Sequence, residues 1–172
     1  MKILIAYASR GGASRACAEM LAEKLRSRND VSVVDVAAVD TIPAPDGFDV
    51  AVLGGSVRMA RIDKRLKKYL VAHKERLSAM PSAFFFCCGF PSELDEYIDT
   101  QIPKDLELSL GIHCFGGELK PEKLKGMDKF IVKMIRKGIV GQDFEMENYN
   151  HPLPELLPES VWRLSDSIME LK

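Results

Sequence analysis

Apolar positions along the chain fall into short continuous runs separated by amphipathic stretches. Lys2–Tyr7 is a near-unbroken apolar run, the mark of a strand covered on both faces, and Val31–Val36 is a second, β-branched one. Phe48–Leu53 is a third, ending in Gly54-Gly55-Ser56; Ser82–Cys88 is a fourth; Gly111–Gly116 holds a fifth. Between them the period changes to that of a helix. Ser14–Arg28 reads as a helix with Ala16, Met20, Leu21 and Leu25 on one face, and Asp63–Ala79 as another with Leu66, Tyr69, Leu70 and Leu77 inward. Ser92–Gln101 reads as a helix capped by Ser92, with Glu93 and Asp95 in its first turn. Pro158–Leu171 closes the chain with Val161, Leu164, Ile168 and Leu171 along one stripe. The link holding Pro43 and Pro45 has room for at most a short helix. Strands alternating with helices predict an α/β fold with a doubly wound parallel sheet. No linker, repeat or low-complexity tract interrupts it, so residues 1–172 are expected to form one domain.

The first strand breaks into a loop of small residues, Ser9-Arg10-Gly11-Gly12-Ala13-Ser14, and a helix begins at once. Backbone amides of such a loop and of the first helical turn point outward unpaired in a positive field, which suits a phosphate. The glycines let the backbone approach a ligand, and the Ser9 and Ser14 hydroxyls add donors. The loop lacks the lysine of a nucleoside-triphosphate P-loop, and the Gly-x-Gly-x-x-Gly pattern of dinucleotide sites is missing. A monophosphate held mainly by neutral donors is expected.

Ser9-x-Gly11-Gly12-x-Ser14 resembles the phosphate loop of flavodoxins, Thr/Ser-x-Thr-Gly-x-Thr, with Gly11 replacing a hydroxyl residue. Ser56-Val57-Arg58, Met80–Phe85 and Phe130–Ile135 are similar to the menaquinone-dependent protoporphyrinogen IX dehydrogenase branch of that superfamily. The resemblance implies a flavodoxin-like sheet of five parallel strands in the order 2-1-3-4-5, with FMN at the carboxyl ends of the strands. It assigns the phosphate to Ser9, Arg10, Gly11, Gly12, Ala13 and Ser14. The isoalloxazine ring then falls to Ser56, Val57 and Arg58 and to Cys88, Gly89 and Phe90. Flavodoxins usually sandwich the ring between Trp and Tyr, whereas these loops offer Val57, Arg58, Met59 and Phe90. More of the ring is left for a stacking substrate. Arg58 has two readings: a guanidinium that stabilises negative charge at the flavin N1 side and so favours two-electron chemistry, or a solvated loop residue.

Composition narrows the partners. Four cysteines without paired spacing, no apolar run of the roughly 20 residues a membrane span needs, and no leader-like segment fit a cytoplasmic chain. A net charge of −1 is far from the acidity typical of carrier flavodoxins, and it argues against nucleic acid. Two segments are locally basic. Arg58–Arg76 carries eight basic and two acidic residues, either a solvated helix face or a field steering an anionic substrate or acidic redox protein. Lys120–Gly141 reads as an extra helix before the C-terminal one, its apolar face formed by Met127, Phe130, Ile131, Met134 and Ile135 with a lysine fringe. It packs on the sheet, lies on anionic lipid as a peripheral membrane contact, or meets an acidic partner. Cys87 and Cys88 should face opposite sides of the fourth strand as core residues, and no resolving partner for a thiol reaction is visible in the spacing. His73, His113 and His151 are too dispersed for a metal, and nothing forms a hydrolase triad.

Two functions remain. One is an FMN-dependent oxidoreductase passing electrons from an organic donor to a quinone-type acceptor, with protoporphyrinogen as the donor that the resemblance implies. The other is a carrier shuttling single electrons between redox proteins. Glu93, Asp95, Glu96 and Asp99 bear against the porphyrin donor, because they would repel its propionates if they border the flavin.

Overall fold

The computed structural model describes residues 1–58, 60–89, 93–117 and 155–171. Five strands form one parallel sheet: β1 (Lys2–Ala8), β2 (Asp30–Asp35), β3 (Val50–Ser56), β4 (Ser82–Cys87) and β5 (Ile112–Cys114). Their order is β2-β1-β3-β4-β5, the expected doubly wound arrangement. Helices α1 (Ala13–Leu25), α2 (Lys64–Ala72), α3 (Lys74–Ser78), α4 (Leu94–Gln101) and α5 (Pro158–Met169) cover it, with a 3₁₀ turn at Pro45–Gly47.

Alternation along the strands builds two cores. Leu4, Ala6, Leu53, Phe84 and Phe86 face α2, α3 and α4 through Leu66, Tyr69, Leu70, Leu77 and Tyr97. Ile3, Ile5, Val52 and Phe85 face α1 and α5 through Cys17, Leu21, Leu25, Val161, Leu164 and Ile168. At Gly54 an added Cβ would lie 2.3 Å from Cδ1 of Phe85, whose ring stacks on Phe115 at 4.7 Å.

The element boundaries differ from the sequence pattern in instructive places. α1 buries Ala13, Ser14, Cys17, Ala18, Leu21, Ala22 and Leu25, leaving Ala16 exposed and Met20 half-buried. Small residues let this helix sit close to the sheet; the buried rows are Ala13-Cys17-Leu21-Leu25 and Ser14-Ala18-Ala22, and Ala16 falls outside both. The helix expected over 63–79 is broken at His73, which has φ −114° and ψ 19° and tilts its ring against Tyr69 at 4.4 Å. Asp63 caps α2, its carboxylate accepting from the Arg65 amide at 2.8 Å. β5 is held to three residues because Gly111 and Gly116 flank it at φ +80° and +74°, outside the strand region. β1 and β3 run longer than expected, since Gly54 and Gly55 continue the ladder opposite Tyr7 and Ala8. α4 begins at Leu94 with Glu93 at its N-cap; Ser92, the expected cap, lies outside the described residues.

Candidate functional site

β2 lies on one side of β1 and β3 on the other, so the chain reverses direction across the sheet at the carboxyl end of β1. That reversal opens a crevice, the usual ligand position in such sheets. Three loops converge there. Ala8 pairs with Gly55 and Ser56 with Cys87, so the loops after β1, β3 and β4 leave the sheet nearly level with one another.

The first loop contains the expected Ser9, Arg10, Gly11, Gly12, Ala13 and Ser14. Gly12 is the N-cap of α1 at φ +99°, a conformation that would strain any side chain. Its amide donates to Ser9 Oγ at 3.2 Å, and its carbonyl receives the first helical bond, from Ala16 at 2.9 Å. The amides of Ala13, Ser14 and Arg15 precede that bond and have no intrahelical acceptor. No acidic side chain stands in this first turn, and Cβ atoms built on Gly11 and Gly12 would meet nothing within 4 Å. Arg10 is exposed. Ser14 differs from the expectation of an open, outward donor. It is fully buried, and its Oγ has no well-formed hydrogen bond within the protein; its polar neighbour is the Cys87 thiol, a weak partner whose pKa the contact lowers against the larger upward effects of Cys17 and burial.

Arg15, which sequence reasoning passed over, ties the loop to the strand ends beside it. Its Nη2 donates to Asp35 Oδ2 at 2.9 Å and its Nε to the Tyr7 hydroxyl at 3.1 Å. Burial raises the Tyr7 pKa, and the hydrogen bond from Arg15 opposes the shift. The Arg15 guanidinium is thus committed to Asp35 and Tyr7.

The second loop begins with Ser56 and Val57, both half-buried, and the Val57 amide donates to the Cys87 carbonyl at 3.0 Å. Arg58 and Arg61 exchange backbone hydrogen bonds at 2.9 and 3.0 Å, pinching the loop into a tight turn. Within it Ala60 has φ +57°. A non-glycine residue held there stores strain of about 1 kcal/mol or more, a condition that clusters at ligand sites. Arg58 itself is exposed; Met59 is outside the described residues.

The third loop starts at Cys88, buried, and Gly89, half-buried; Phe90 lies outside the described residues. A Cβ on Gly117 would come within 2.6 Å of the Cys88 carbonyl carbon and 2.7 Å of the Gly89 nitrogen, so the backbone after β5 presses directly on this loop. The 155–157 stretch secures it, with Leu157 donating to the Phe115 carbonyl at 2.9 Å and Gly117 donating to that of Glu155 at 3.2 Å.

Cys87 and Cys88 do face opposite sides of β4, one in each core. The absence of a resolving partner is corrected by the fold, because Cys88 Sγ lies 3.6 Å from Cys114 Sγ. Spacing in sequence could not reveal this, since 26 residues separate the two and only the β4–β5 pairing joins them.

Much of the Arg58–Arg76 charge is committed to holding α2 and α3 in place. Arg65 donates to the Val39 and Asp40 carbonyls, and Lys67 to that of Thr100 at 3.0 Å. Lys74 pairs with Asp105, and Arg76 Nε with Asp46 at 3.6 Å. Glu93, Asp95, Glu96 and Asp99 are all exposed around α4. The Lys120–Gly141 segment lies outside the described residues. No helix among the described residues is long and apolar enough to cross a membrane.

Comparison with known proteins fits this architecture. Over 151 residues the chain is 28% identical to protoporphyrinogen IX dehydrogenase [quinone] of Escherichia coli strain K12, covering 83% of this chain and 82% of that protein. Rubredoxin oxygen:oxidoreductase from Desulfovibrio gigas superposes with a TM-score of 0.51 at 14% identity, over 99% of this chain and 37% of that one; the likeness speaks to fold. Oxidised flavodoxin 1 from Bacillus cereus gives a TM-score of 0.48 at 19% identity, over 81% of this chain and 95% of that one. The sequence profile of the flavodoxin domain matches residues 4–145. The chain belongs to the flavodoxin domain family.

Proposed function

We propose that this protein is an FMN-dependent oxidoreductase that takes electrons from an organic donor and passes them to a quinone. The observation that carries the reading is the cradle at the start of α1, which meets the chemical demands of a phosphate monoester. Three helix-start amides lack intrahelical acceptors, Gly12 opens the backbone at φ +99°, and Ser14 Oγ is a buried hydroxyl without a well-formed hydrogen bond. Bound flavin would supply reversible electron and hydride transfer. The protein's own part is to hold and tune it. Ser9, Arg10, Gly11, Gly12, Ala13 and Ser14 would hold the phosphate. Ser56, Val57, Cys88, Gly89 and Phe90 would bound the ring, and Arg58 would stabilise negative charge at its edge.

The acceptor and donor rest on the 28% identical dehydrogenase, whose name specifies protoporphyrinogen IX and quinone. Protoporphyrinogen is accordingly the donor to test first. The chain would work as a single domain in the cytoplasm, with Lys120–Gly141 meeting the inner membrane face where the quinone resides. The test is oxidation of protoporphyrinogen by FMN-loaded protein with menaquinone, with and without anionic vesicles. Turnover stimulated by vesicles supports the reading.

A second reading is favoured by the exposed acids Glu93, Asp95, Glu96 and Asp99. They would repel porphyrin propionates if they border the flavin, and they suit a basic redox partner, as in a one-electron carrier. Photoreduction separates the two. Reduction in a single two-electron step supports the enzyme; two well-resolved one-electron steps, with no turnover on any acceptor, support the carrier.

A further inference from the structure

Two thiol pairs flank the end of β4, and they differ in kind. Cys17 and Cys87 belong to the core beneath α1 and are both buried. Cys88 and Cys114 lie on the opposite face. β4 pairs with β5 in the register Phe86↔Cys114, so Cys88, two residues past Phe86, projects on the same side as Cys114 one diagonal step along. Cys114 is half-buried, while Cys88 is nearly covered. A compact reagent therefore meets Cys114 first. The Cys88 thiol lies in hydrogen-bond contact with Cys114, and the Gly116 and Cys88 amides add to it. Together they pull the Cys114 pKa down to about 6 against the opposing effect of burial. The reverse holds on the other face, where the contact with Cys17 and burial push the Cys87 thiol up. One pair is poised to react and the other is kept inert.

We infer that Cys88 and Cys114 form a peroxide-reactive modification site that closes reversibly to a disulfide. The Cys114 thiolate attacks one oxygen of hydrogen peroxide. The O–O bond breaks, hydroxide leaves, and the sulfur becomes a sulfenic acid. Cys88 sulfur then attacks the Cys114 sulfur, its proton leaving with the sulfenic hydroxyl as water. The proton that Cys114 had already released neutralises the hydroxide. Two thiols are oxidised and one peroxide is reduced to two waters. Closing the 3.6 Å contact to a covalent bond needs a shift of about 1.5 Å. β5 can make it, because it is three residues long and, among the described residues, lies at the sheet edge bonded to β4 alone of the strands. Cys88 opens the loop after β4 and Cys114 ends β5, and the inference rests on their contact rather than on the proposed flavin chemistry.

The test treats the full-length reduced protein with a small excess of hydrogen peroxide, alkylates it, and maps its cysteines by peptide fragmentation. The expected product is a Cys88–Cys114 link that dithiothreitol reverses, with Cys17 and Cys87 still alkylatable after unfolding. In Cys88→Ser the sulfenic acid has no resolving thiol, so trapping of Cys114 by dimedone rises several-fold over the wild-type chain. Cys114→Ser forms no link, and its Cys88 stays reduced. A Cys17–Cys87 link, wild-type Cys114 driven to sulfinic acid without linking, or no thiol consumed would each overturn the inference. If Cys88→Ser does not fold, the mapping of the wild-type chain decides alone.

Discussion

Ser14→Ala should move stability and cofactor affinity in opposite directions. The wild-type hydroxyl is fully buried with only the weak Cys87 thiol beside it, a state that costs the fold about 1 kcal/mol or more of poorly compensated desolvation. Removing the oxygen relieves that cost and leaves the helix with alanine, its best former. The apo-protein should gain about 1 kcal/mol or more, which for a chain of this size raises Tm by about 2–4 °C. The same oxygen is the natural partner for a phosphate at the α1 start. A hydrogen bond to a charged group contributes about 1.5–3 kcal/mol, so FMN should bind about 10- to 150-fold more weakly. Thermal unfolding of the apo-protein gives the first quantity, and quenching of FMN fluorescence the second. Unchanged FMN affinity refutes the reasoning whatever happens to Tm, because the hydroxyl would then have no ligand to serve.

Gly54→Ala places a methyl 2.3 Å from the Phe85 ring and should destabilise by about 1–3 kcal/mol in urea unfolding; Gly47→Ala, with nothing within 4 Å, should lie within about 0.5 kcal/mol of wild type. Alkylation of Cys114 should rise with pH through a midpoint near 6, where an ordinary thiol titrates at about 8.5. The fold favours the thiolate, so its stabilising effect is complete above the unfolded thiol range and is lost as pH falls through 6; a midpoint at or above 8.5 rules this out. Arg58→Ala should lower turnover with quinone by about tenfold to a hundredfold while FMN affinity changes little, and undiminished turnover removes Arg58 from the reaction.

The fold was legible because a parallel sheet demands apolar runs of strand length, and Ile3–Tyr7 and Ala83–Phe86 supply them without polar interruption. The order of the strands came from resemblance rather than from pattern, since periodicity carries no information about which strands pair. Local errors arose where tertiary packing overrode the pattern. Ala16 fits an amphipathic stripe, yet Cys17 and Ala18 are what the sheet accepts, and His73 turns against Tyr69 to end a helix whose apolar positions continue to Leu77. The glycine cradle could be read directly, because Gly11-Gly12 ahead of a helical pattern has few structural meanings. Three features of the site could not. Burial of Ser14 depends on how closely α1 meets β4, the strain at Ala60 on a turn closed by Arg58 and Arg61, and the Cys88–Cys114 contact on β4–β5 register.

The most direct test of the central claim is the identity of whatever the protein carries when purified after expression with riboflavin supplied. The protein should be yellow and release FMN, and not FAD, on denaturation, at about one equivalent per chain, and its apo-form should quench added FMN fluorescence. A colourless protein that leaves FMN fluorescence untouched would contradict the claim.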